Sequence, residues 1–104
     1  MTVRDWLAHR EPSPPHVLRE RVESLALAVP DQPDDPAATL LAAAEAALKR
    51  LSNCSAGDRA TALDLLAIDA LVTYAFEFAA GTPDAIPSLS ARAMSRLSGV
   101  AAAS

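Results

Sequence analysis

From Asp58 to Ala80 the chain reads DRATALDLLAIDALVTYAFEFAA, twenty-three residues without glycine or proline. Apolar side chains fall around nearly the whole circumference of the helix this implies, and such a helix has to be enclosed by other elements. The flanking segments read as amphipathic helices, each with one face to bury. The sequence therefore predicts an all-α fold: a compact antiparallel bundle of four main helices and a short N-terminal helix, arranged around a central hydrophobic helix. A length of 104 residues suits a single domain, 1–104, with one core.

Asp64, Asp69 and Glu77 interrupt the central segment. Each carboxylate at membrane depth costs roughly 2.5 to 3.5 kcal/mol on insertion scales, so the segment reads as a buried helix of a soluble protein and not as a span. The start, MTVRDWLAHREP, lacks the apolar core of a secretory signal. One cysteine, Cys54, excludes an intramolecular disulfide framework, and a reducing, cytoplasmic setting is the simplest expectation. The basic residues are eight Arg and one Lys; with the Ala richness this suggests a GC-rich bacterial genome and carries no functional weight.

Leu, Ile, Val and Phe number 24 and Ala another 24. Ala buries little area, so helices are expected to approach closely while net stability stays modest unless a second chain adds burial. A homodimer follows as an expectation. A net charge of −4 argues against nucleic acid as the primary partner, because phosphate needs a basic face.

Along the chain, Thr2 and Asp5 have the spacing of an N-terminal capping box for a helical arm over 2–10, with Trp6 as its anchor. EPSPP at 11–15 forms an elbow in which Ser13 caps and Pro14 opens the next helix, which runs to Val29 with Leu18, Val22, Leu25 and Val29 inward. The loop PDQPDDP ends on Asp35 as cap and Pro36 in the first turn. That helix reaches Leu51, with Leu40, Leu41, Ala44, Leu48 and Leu51 as its stripe and Lys49 and Arg50 suiting the dipole of its last turn. Ser55 and Asp58 signal the start of the central helix, and Gly81 is expected to end it in a left-handed conformation. Asp84 to Ile86 can form one turn before Ser88 caps the last helix, whose seam is Leu89, Ala93, Leu97 and Val100. Its tail, 101–104, is expected to fray.

Within the central helix, Asp69, Thr73 and Glu77 make one polar line, and Asp64 lies more than about 100° from it. Asp69 and Glu77 stand about 12 Å apart along the axis, too far to share a metal or a proton. Arg92 and Arg96 have the i, i+4 spacing that matches the line, which predicts pairing between the two helices. Neither His9 nor His16 has the Glu three positions earlier that a di-metal bundle uses, and Cys54 has no neighbouring histidine to complete a nucleophilic pair. No phosphate loop or nucleophile elbow occurs. No cofactor, metal or catalytic residue is assigned, and the chain does not read as an enzyme.

The functional expectation is a protein-interaction or self-associating module, with a homo-oligomer or another protein as partner and neither nucleic acid nor membrane. Its candidate surface comprises Asp69, Thr73 and Glu77, the aromatics Tyr74, Phe76 and Phe78, the arginines Arg92 and Arg96, and Trp6. The alternative is a small-molecule-binding bundle with a groove or pocket near Tyr74, Phe76 and Phe78.

Overall fold

In the computed structural model, which describes residues 6–7, 14–32, 34–53 and 59–103, the regular elements are all helical. Helix α1 (His16–Leu27) opens two residues later than the sequence reading places it. Pro15 stands outside it at φ −52° and ψ 147°, and a residue that precedes a proline, as Pro14 does, is disfavoured in the α region. The expected Ser13 cap lies outside the described residues. Val22 and Leu25 are buried as expected, joined by Ala26, while Leu18 and Val29 pack partly against the core.

Helix α2 (Pro36–Ser52) starts as predicted. The Ala38 N–H donates to Asp35 Oδ1 at 3.1 Å, and Pro36 in the first turn has no N–H to leave unsatisfied. The preceding loop is pinned from both sides: the Asp35 N–H donates to the Gln32 carbonyl at 2.9 Å, and the Gln32 N–H donates to the buried Thr39 Oγ1 at 2.8 Å. Leu40, Leu41 and Ala44 are buried and Leu48 and Leu51 half-buried, but the interior extends to Ala37, Ala38, Ala43 and Ala47. Small side chains on several sides let neighbours approach α2 closely, which widens its buried face beyond the stripe that the leucines mark.

Helix α3 (Arg59–Ala79) packs most extensively against α2, and each of these two touches every other helix. Ala67, Ile68, Leu71, Tyr74, Ala75 and Ala79 are buried on it. The expectation of an enclosed central helix needs correction. Leu65, Leu66, Asp69, Thr73 and Glu77 are exposed, and α2, with nine buried residues, shares the centre.

The end of α3 also differs from expectation. Gly81 does not adopt a left-handed φ, and a Cβ built on it would lie 3.6 Å from the Phe78 carbonyl oxygen, an ordinary contact. The helix instead tightens. The Ala80 N–H reaches both the Phe76 carbonyl at 2.9 Å and the Glu77 carbonyl at 3.2 Å, and the Thr82 N–H reaches the Ala79 carbonyl at 2.8 Å.

A 3₁₀ turn (Pro83–Ala85) then runs directly into α4 (Ile86–Ala103). Ser88 is therefore inside the first turn and is not the cap. Pro87, whose fixed φ suits a first turn, marks the earlier start. The helix continues to Ala103, past the point at Ala101 where fraying is predicted. Of the N-terminal arm, Trp6 and Leu7 are described, and both are helical. No helix among the described residues is long and apolar enough to cross a membrane.

Candidate interaction surface

The helical period divides the three aromatics of α3 instead of clustering them. Tyr74 and Phe78, four apart, share one face; Phe76 lies about 200° from each. Trp6 docks edge-on over the first two, with ring centroids 5.7 Å from Tyr74 at 67° and 5.9 Å from Phe78 at 74°. Edge-to-face geometry sets the positive ring edge against the negative ring face and adds to the burial of the rings. Trp6 is thus the anchor the sequence predicts, half-buried and not displayed. Leu7 beside it is buried.

Phe76 faces the other way, into a groove between α3 and α4. The groove has a volume of 460 Å³, opens widely to solvent and is lined by Phe76, Ser90, Ala93, Met94, Leu97 and Ser98. Met94 is 71% exposed. Leu65, 51% exposed, lies within about 20° of Phe76 on the α3 wheel and about 16 Å from it along the axis, with the exposed Asp69 between them on the same side. Leu66, 57% exposed, lies about 80° from Phe76, with Asp69 and Thr73 between them on the wheel. Sequence reasoning missed Leu65, Leu66 and Met94 as surface residues. The available signal was Met94, a large apolar side chain standing off the Leu89, Ala93, Leu97, Val100 seam.

Asp69, Thr73 and Glu77 fall about 20°, 60° and 100° from Phe76 on the same wheel, and all three are exposed. Their expected pairing with Arg92 and Arg96 does not form. Arg92 Nη1 reaches Asp35 Oδ2 at 3.3 Å, and Arg96 Nη1 reaches Glu45 Oε1 at 3.0 Å, a carboxylate whose other oxygen stands 3.8 Å from Lys49 Nζ. Both arginines are turned onto α2 because α4, held by its Leu89, Ala93 and Val100 seam, presents that flank to α2 and a different flank to the groove. The i, i+4 spacing was matched to the wrong helix.

Asp64 lies off the polar line, as the wheel predicts, and accepts a hydrogen bond from Arg21 Nε that ties α1 to α3. That hydrogen bond pushes the Arg21 pKa above its ordinary value; burial opposes the shift and the charge of Asp64 adds to it. The pair is 43 residues apart in sequence and has no local signal.

A second recess of 270 Å³, on the side of α3 away from Phe76, is lined by Asp34, Asp35, Phe78, Thr82, Leu89 and Arg92, among others. Beneath Trp6, the space between Leu7, Pro14, Val22 and Tyr74 admits no water-sized sphere. His16 Nε2 stands 3.0 Å from Glu20 Oε1 on the surface of α1. His9 and Cys54 lie outside the described residues. Among the described residues no three of His, Cys, Asp and Glu converge as a metal-holding group. No protein-family model matches the chain, and neither a curated protein nor a solved structure is found similar to it.

Proposed function

We propose that this chain is a protein-interaction module: an antiparallel four-helix bundle with an N-terminal helical arm, whose α3–α4 groove is the docking face. The observation that carries the reading is the exposed Met94 beside a groove floored by Phe76, Ala93 and Leu97, with Leu65 and Leu66 also exposed elsewhere on α3. Exposed apolar surface of this kind is costly to leave in water and gains by association. It matters more here than on a larger protein because the interior of α2 is built largely of alanine, which limits what the isolated chain buries. Self-association is one form of this reading and docking of a different protein the other.

Sedimentation velocity at micromolar concentration, on the wild type and on Met94→Ser, tests it together with chemical crosslinking of cell extract. Association that weakens in Met94→Ser supports the reading. A strict monomer that crosslinks to nothing through this face overturns it.

A small amphipathic ligand is the second reading, favoured by the 270 Å³ recess where Phe78 and Leu89 meet Arg92, whose Nε is buried without a hydrogen-bond partner. Ligand-observed magnetic resonance with a library of small carboxylates distinguishes it, since true occupants lose binding in Arg92→Ala.

A further inference from the structure

We draw no further inference here: the strongest candidate, the open apolar groove between α3 and α4 lined by Phe76, Ala93, Met94 and Leu97, is already proposed as the docking face, and nothing in the structure shows what covers it.

Discussion

Asp35 divides its carboxylate between two helices: Oδ1 accepts the Ala38 N–H at 3.1 Å at the start of α2, and Oδ2 faces Arg92 Nη1 of α4 at 3.3 Å. A residue chosen locally as a helix cap thereby becomes the point where α4 is fastened to α2. The two roles separate by mutation. Asp35→Ala removes both and is expected to lower stability by about 1–2 kcal/mol, most of it the cap. Asp35→Asn keeps a capping oxygen and loses only a half-exposed ion pair, so its cost stays below about 0.5 kcal/mol. Urea denaturation of the two variants measures the difference, and equal costs would show that the ion pair, not the cap, dominates.

Arg21 and Asp64 join α1 to α3 by one charged hydrogen bond at a partly buried site. A double-mutant cycle with Arg21→Ala and Asp64→Ala is expected to give a coupling of about 0.5–1 kcal/mol, reduced by salt because both side chains still meet water. The folded-state pKa of Arg21 is raised. Its contribution is therefore complete below the unfolded pKa and disappears only as pH rises through the still higher folded value. Coupling measured from neutral to moderately alkaline pH should be flat, and a decline within that span would contradict the assignment.

Trp6 is the single tryptophan, so its fluorescence reports whether the N-terminal arm is seated. Edge-on contact with Tyr74 and Phe78 predicts a blue-shifted, structured signal in the folded protein. Trp6→Ala is expected to cost about 2–3 kcal/mol, below the usual range for a fully buried aromatic because the ring is half-buried. Denaturation by far-ultraviolet circular dichroism measures it. An emission maximum already at the solvent position before denaturant is added would sink the anchoring role.

Gly81 makes a sharper test of how α3 ends. Its backbone lies outside the left-handed region and a Cβ there meets only an ordinary contact with the Phe78 carbonyl. Gly81→Ala is expected to be neutral or stabilising by about 0.4–1 kcal/mol, through the reduced entropy of the unfolded chain. A left-handed terminator predicts the opposite sign, so a shift in thermal midpoint decides between them.

Much of the fold was legible because it is local. The Asp35–Pro36 start of α2, the Leu40, Leu41, Ala44 stripe and the Val22, Leu25 face of α1 each depend on residues within a turn or two of one another. Errors arose where two local signals competed. Pro14 looked like a helix opener until Pro15 behind it disfavoured the α region, and Ser88 looked like a cap while Pro87 had already begun the helix.

The candidate surface was legible only in part. Helical period alone puts Asp69, Thr73 and Glu77 on one line and separates Asp64 from them, and it equally puts Phe76 opposite Tyr74 and Phe78. Which side of α3 meets water is a different kind of fact. It depends on α4 lying against α2, which commits Arg92 to Asp35 and Arg96 to Glu45 and leaves Phe76 and Met94 along an open groove.

By itself, then, the sequence determined the helices, most of their inward faces and the polar line on the longest of them, since backbone hydrogen bonding and side-chain period act over a few residues. Only the tertiary structure decided the partners of the arginines and the exposed side of α3. Those follow from contacts between residues such as Arg21 and Asp64, 43 apart, whose meeting is fixed by packing and by no pattern nearby in the chain.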